Sequence, residues 1–176
     1  QPASWAPIQH DNAATAIAAL RALDRPVPRA AWAQGVAAAQ VAGRLQRFER
    51  NGVDVLVDVG HNPQAAAALA AALKANPAAG RTLAVYAALV DKDAAGVVAA
   101  LQARIDRWHL AGLEGARGQG AEQLREKLAG TAATGAVLSA TVEQALASAL
   151  EQARRGDRVL VFGSFHTVAE ALSLLQ

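Results

Sequence analysis

The chain has 176 residues and a mass of 18.1 kDa, enough for one well-buried α/β domain with some residues over. Its 17 basic and 15 acidic residues nearly balance, and its basic groupings (Arg154–Arg155, and Arg44, Arg47 and Arg50) hold one aromatic between them, Phe48, and no interleaved series for base stacking, so nucleic acid is not an expected partner. Cysteine is absent, which excludes disulfides and thiol chemistry, and no apolar stretch approaches the ~20 residues that span a bilayer, so no membrane role is expected and cytoplasmic is the default location.

Residues 1–5 (Gln-Pro-Ala-Ser-Trp) have neither the charged region nor the apolar core of a signal peptide. Residues 11–23 read as a helix opened by His10 or Asp11, with Ala13, Ala16, Ile17 and Leu20 at helical spacing. Pro26 and Pro28 interrupt it, and a second Ala-rich helix is expected from about Arg29 to Gln40. The pattern changes at Gly43. Residues 44–50 alternate polar and apolar side chains, Asn51-Gly52 is a strong hairpin signal, and 53–59 should be the antiparallel partner. From there the chain alternates: helix 63–75, strand 81–87, helix 93–104, strand 106–111, helix 121–129, a short strand near 136–139, helix 141–154, strand 158–162 and helix 167–175. Strands separated by helices imply right-handed crossovers and a mainly parallel sheet. The glycine-rich stretch Gly112 to Gly120 has neither the Lys-Ser/Thr ending of a phosphate loop nor dinucleotide-fingerprint spacing, and reads as a flexible surface loop.

Two strand-to-helix corners carry the candidate chemistry. In Leu56-Val57-Asp58-Val59-Gly60-His61-Asn62-Pro63, Asn is a favoured N-cap and Pro suits the first helical turn, so a helix should start at Asn62 or Pro63. Asp58 and His61 then sit at a carboxyl strand end beside a positive helix end, where open α/β sheets bind ligands. An Asp there can accept ribose hydroxyls, and a His can donate to an anion. At the second corner, Gly163-Ser164-Phe165-His166-Thr167, Ser164 follows a sharp turn and suits a carboxylate or phosphate oxygen, whereas Thr167 with Glu170 has capping-box spacing. A nucleophilic triad of Ser164, His61 or His166, and Asp58 is conceivable, but the second glycine of a nucleophile elbow is missing. No helix carries a tight metal-ligand cluster, and His10 and His109 read as structural.

At these residues the chain resembles the folylpolyglutamate synthase and dihydrofolate synthase family, relatives of the Mur peptidoglycan ligases. Asp58-Val59-Gly60-His61-Asn62-Pro63 is similar to the family's Asp-x-Ala-His-Asn-Pro motif, with Gly60 in place of Ala. Residues 10–16 resemble the helix that closes its central ATPase domain. Gly43-Arg44-Leu45-Gln46 resembles its Pro-Gly-Arg-hydrophobic-Gln motif, with Ala42 in place of Pro. Leu89-Val90-Asp91-Lys92-Asp93 resembles its Asp-Lys-Asp turn, and residues 163–170 its Gly-Ser-Phe-His-Thr-Val-Ala-Glu ending.

The resemblance implies a three-layer Rossmann-like α/β fold of the Mur ligase C-terminal domain type, mainly parallel with an antiparallel edge strand, over 43–176. Residues 1–42 would be the terminal helices of the central ATPase domain, on which this part would pack. The family's Gly-Lys-Ser/Thr phosphate loop is not in this sequence, so the chain reads as part of a longer enzyme, inactive alone. That enzyme would use ATP and Mg2+, the latter held mainly by the central domain, to join L-glutamate to dihydropteroate or a folate through an acyl phosphate. Asn12 would contact adenine, Arg44 the phosphates and Asp58 the ribose. His61 and Ser164, with His166, would position glutamate. A stand-alone nucleotide- or amino-acid-binding module without catalysis, or another Mur-type amide ligase, remain alternatives.

Overall fold

The computed structural model describes residues 7–23, 26–39 and 41–176, with side chains from residue 11 onward. The expectations for residues 1–5, for Gln40 and for the His10 side chain lie outside the described residues. The chain divides into two compact units, Gln1–Ala42 and Gly43–Gln176. The first contains α1 (Pro7–Ala22) and α2 (Arg29–Ala38). Within α1, Ala13 and Ile17 are half-buried and Leu20 is exposed, as is Leu23 just after the helix. Among the described residues no helix is long and apolar enough to cross a membrane.

The second unit is built on β1 (Gln46–Arg50) and β2 (Val53–Asp58), joined by Asn51-Gly52. Both turn residues have positive φ, 53° and 80°, which makes the type I′ turn that matches strand twist. There follow α3 (Pro63–Ala75), β3 (Thr82–Tyr86), α4 (Ala94–Leu101), β4 (Arg107–Ala111), α5 (Ala121–Lys127), β5 (Val137–Ser139), α6 (Val142–Gln152), β6 (Arg158–Phe162) and α7 (Phe165–Leu175). Thr141 caps α6 on the Gln144 amide, and the Gln144 side chain returns to the Ala140 amide, a variant of the capping box.

The sheet order is β1-β2-β6-β3-β4-β5, parallel except for the β1–β2 edge pair. Strand β6 lies between β2 and β3, with Asp58, Phe162 and Tyr86 level at their carboxyl ends. Helices α3, α4 and α5 cover one face through Leu69, Val98 and Leu124, against Tyr86, Trp108 and Phe162. Tyr86 stacks on Phe162 at 4.8 Å and meets Trp108 edge-on at 6.2 Å. The other face carries α6 and α7 through Leu146, Ala149 and Val168, against Val55, Val57, Val159 and Val161. Each Val, Leu or Phe so buried contributes roughly 1.5–3 kcal/mol.

Arg47 pairs with Asp54, which also receives the buried Arg158, and Arg50 donates to the Leu175 carbonyl. The central strand that His109 occupies leaves its imidazole fully buried, with no hydrogen-bond partner on either ring nitrogen. Burial, with the nearby charge of Arg107, pushes its pKa down to about 4.

Candidate active-site corner

Topology marks the place of a candidate site. The chain leaves β2 and β3 toward the α3–α4 face, but leaves β6, which lies between them, toward the α7 face. Neighbouring connections that depart on opposite sides open a gap at the carboxyl edge, the switch point where such sheets bind ligands.

Three of the sequence motifs meet there. The Gly43–Gln46 turn is folded against the end of β2. Gly43 and Leu45 have φ of 66° and 48°, the Val59 amide donates to the Gly43 carbonyl at 2.8 Å, and the Gly43 amide donates to the Gln46 side chain at 3.1 Å. A Cβ at Gly43 would come within 2.6 Å of Val168 on α7, so a side chain there would separate the turn from the domain. Arg44 stands exposed on this turn.

Asp58 fastens the same turn from below. One carboxylate oxygen accepts the Leu45 amide at 2.9 Å and the other the Gly60 amide at 2.7 Å. The residue is 9% exposed. Burial raises its pKa above the ordinary carboxylate value, against the two amide hydrogen bonds and the positive charge of Arg44, which lower it. Arg44 and Asp58 are therefore electrostatic neighbours. The two backbone amides thus take one acceptor direction on each oxygen of Asp58.

His61 is half-buried, with Nδ1 3.2 Å from the Val59 carbonyl oxygen. Donation from Nδ1 to that carbonyl leaves Nε2 as the ring nitrogen available to a ligand. Asn62 then caps α3, accepting the Ala65 amide at 2.8 Å, and Pro63 is the first helical residue, as the sequence predicts.

At the β6–α7 corner, Gly163 has φ of 125°, and a Cβ there would meet the Ala87 carbonyl at 2.2 Å. The N-cap of α7 is Ser164, which corrects the expectation that Thr167 caps it and that the helix begins at 167. Ser164 Oγ accepts the Thr167 amide at 3.0 Å and lies 2.7 Å from Thr167 Oγ1, which donates to the Ala87 carbonyl. Ser164 is 3% exposed, and its hydroxyl is used by this chain of bonds. A Ser three residues before a Thr offers two possible caps; the Ser wins because the turn at Gly163 places it at the end of β6. His166 and Phe165 are exposed on the first turn of α7. Asn12 is exposed on α1, in the other unit.

A further edge residue carries no role in the sequence reading: Lys92, in the turn between β3 and α4. The α4 N-cap is Asp93, and a Cβ at Gly96, in the first turn of α4, would come within 2.8 Å of Pro63 in the first turn of α3. The two helix starts are thus in contact, and the turn bearing Lys92 lies beside the His61 corner. The signal available was that Lys92 is the single lysine within a strand-to-helix junction. Among the described residues, no group of three or more His, Cys, Asp or Glu could hold a metal ion.

The fold is that of a doubly wound α/β domain, and at its switch point it brings together a cation, a buried carboxylate and helix starts. The profile of the family described as Mur ligase, glutamate ligase domain, matches residues 43–165, and the chain belongs to that family. The dihydrofolate synthase/folylpolyglutamate synthase of Escherichia coli (strain K12) is 44% identical over 168 residues, which is 96% of this chain and 38% of that protein. The solved E. coli FolC in complex with DHPP and ADP is 45% identical, with a TM-score of 0.84, over 93% of this chain and 38% of that one. A bifunctional folylpolyglutamate synthase/dihydrofolate synthase solved with Mn, AMPPNP and L-glutamate bound is 41% identical, again at a TM-score of 0.84, over 93% and 39% of the two chains. The chain thus spans about two fifths of the length of these relatives.

Proposed function

We propose that this chain is the glutamate-ligase portion of a longer ATP-dependent ligase that adds L-glutamate to dihydropteroate, tetrahydrofolate or both, through an acyl phosphate. The observation that carries the reading is the corner itself: Arg44 stands on a turn that Asp58 fastens through the Leu45 amide, directly beside the start of α3. The relatives bound to ADP, DHPP, AMPPNP and L-glutamate support the substrate classes.

Asp58 fits a ribose, because the paired oxygens of a carboxylate suit two vicinal hydroxyls. Arg44 fits phosphate oxygens, for which a guanidinium fork gives paired charge-assisted bonds. Asn12 would reach adenine. His61, through Nε2 and the positive end of α3, and Lys92 from the adjoining turn, would hold the carboxylates of glutamate. Ser164 acts by fixing the β6–α7 corner, and exposed His166 at its rim would assist glutamate binding. Mg2+ belongs to the proposal and would be held mainly by the central domain. ATP supplies the phosphoryl group that activates the acceptor carboxylate. This chain's share is positioning and charge stabilisation on one wall of the cleft. Residues 1–42 would belong to the central ATPase domain, and a cytoplasmic location goes with ATP as reactant.

The test is ATP-dependent incorporation of labelled L-glutamate into dihydropteroate or tetrahydrofolate by the protein purified from its natural source. Its intact mass should exceed twice the 18.1 kDa of this chain. Absence of incorporation with both acceptors would overturn the reading. So would full ligase activity in the 176-residue chain alone, since one wall cannot form a closed cleft.

A further inference from the structure

The glycine-rich stretch between β4 and α5 exposes residues 114–117 and Gly120, as a surface loop does, but it is closely packed at Gly112 and Gly118. Gly112 has no room for a Cβ, which would meet the Ala140 carbonyl at 2.5 Å. Gly118 has none either, because its Cβ would lie 2.1 Å from the Leu113 carbonyl and 2.7 Å from the Glu114 backbone. The Leu113 amide donates to the Gln119 carbonyl at 3.0 Å, and both of these residues are buried. Glycine here permits close backbone approach.

The folded segment grips the turn that follows β3 at several points. The Gln119 side-chain amide donates to the Ala88 carbonyl at 2.8 Å, and the Val90 amide donates to the Arg117 carbonyl at 3.0 Å. Arg117 Nε and Nη2 donate to the two oxygens of Asp91 at 3.2 and 2.5 Å. From α5, Lys127 Nζ adds a bond to the Val90 carbonyl at 2.8 Å. Asp91 is also the acid nearest Lys92, with its oxygen 3.6 Å from the ammonium. The Asp91 carboxylate therefore faces two cations, and Arg117 takes both its oxygens in the stronger, forked geometry.

We propose that the Gly112–Gly120 segment is a strap that sets the conformation of the Ala88–Asp93 turn, and that Arg117, by its two-pronged hold on Asp91, is a positioning residue for the Lys92 ammonium. With Asp91 oriented toward Arg117, Lys92 keeps its charge available for an anionic ligand at the carboxyl edge. The ligand class is an amino-acid carboxylate, and this half of the inference rests on the function proposed above. An exposed ion pair adds little to global stability, so the effect of Arg117 should be local.

The experiment uses the 15N-labelled 176-residue chain, unaltered and as Arg117→Ala, Arg117→Lys and Gly118→Ala. Amide hydrogen exchange decides the strap. Exchange at Val90 should rise about fivefold in Arg117→Ala, the equivalent of one well-formed ion pair, with core amides of β3 unchanged. Gly118→Ala, which leaves the charge in place, should act in the same direction. Arg117→Lys should restore only part of the protection, because an ammonium lacks the fork. Unchanged Val90 exchange in both Arg117→Ala and Gly118→Ala overturns the strap.

Titration with L-glutamate, read at the Lys92 resonances, decides the positioning role. The apparent Kd should rise about fivefold in Arg117→Ala if the pair is lost. Equal binding by the unaltered chain and Arg117→Ala overturns the positioning role alone. No response at Lys92 in the unaltered chain overturns the assignment of glutamate to this edge, and the positioning role with it, while the exchange data still decide the strap.

Discussion

Replacing Asp58 separates what the corner needs to fold from what it needs to bind. The carboxylate accepts two backbone amides, from Leu45 at 2.9 Å and Gly60 at 2.7 Å, and it is the side-chain acceptor joining the Gly43–Gln46 turn to the end of β2. In Asp58→Ala both amides lose their acceptor. Gly60 is buried, so its amide bears a desolvation cost of about 1–3 kcal/mol. Leu45 is half-buried and can recruit water, so its loss lies nearer the net value of about 1 kcal/mol for an ordinary hydrogen bond. The sum is about 3 kcal/mol, or roughly 10 °C in Tm for a domain of this size. Asp58→Asn should recover about half of that, because its carbonyl can serve one amide while its NH2 group opposes the other. Thermal and urea unfolding of the 176-residue chain, followed by circular dichroism, measure both. A Tm for Asp58→Ala within about 2 °C of the unaltered chain would show that the carboxylate does not hold the corner and that our reasoning from these two bonds is wrong. In the whole enzyme Asp58→Asn is then the better probe of ribose binding, and should raise the KM for ATP with little change in kcat, since a ribose contact is made almost equally in ground and transition states.

Arg44→Ala in the whole enzyme should lower kcat on the order of 10²-fold, with Arg44→Lys restoring only part of the loss; an unchanged kcat with a raised KM for ATP would make Arg44 a simple binding residue. His61→Ala should raise the KM for glutamate and leave that for ATP nearly unaltered, and the opposite pattern in steady-state kinetics would move His61 into the nucleotide site. His109 has its pKa lowered to about 4 in the fold, so its contribution to stability is complete above the unfolded value near 6.5 and is lost as pH falls through that interval. The loss is at most about 3 kcal/mol, and His109→Leu should flatten the acid limb of the Tm–pH curve; an identical limb in the variant would exclude His109 as its cause. Removing residues 1–42 should leave 43–176 cooperatively folded, checked by a single sharp unfolding transition, and a chain without one would mean that the second unit depends on the first.

Local signals gave the parts of the corner that follow from backbone rules. Asn62-Pro63 starts α3 and Asn51-Gly52 makes a type I′ turn because the preferences of these residues are decided within a few positions. The alternation of strands and helices likewise carried the parallel sheet and its antiparallel edge pair. What was not legible depends on distant partners. That Gly118 is required by the Leu113 and Glu114 backbone, that Arg117 belongs to Asp91, and that Ser164 rather than Thr167 caps α7 become visible only once the turns after β3, β4 and β6 are side by side. Glycine marks both loose loops and crowded ones, and composition does not distinguish them. The bonds from Asp58 to the Gly43–Gln46 turn were hidden for the same reason, since strand order β2-β6 and the hairpin must form first.

The position of β6 also fixes an order of assembly. It follows the other five strands in the chain, yet it enters between β2 and β3, which are not paired with each other. Until residues 158–162 arrive, the sheet exists as a β1–β2 hairpin and a separate β3–β4–β5 ribbon, each with an open valine- and leucine-rich edge. Such edges are templates for pairing with other chains, and contacts this distant in sequence form slowly. A chain released before residue 158, or one in which β6 is destabilised, should therefore be prone to aggregate rather than merely inactive, and this insertion is the step at which a folding chaperone would have most effect.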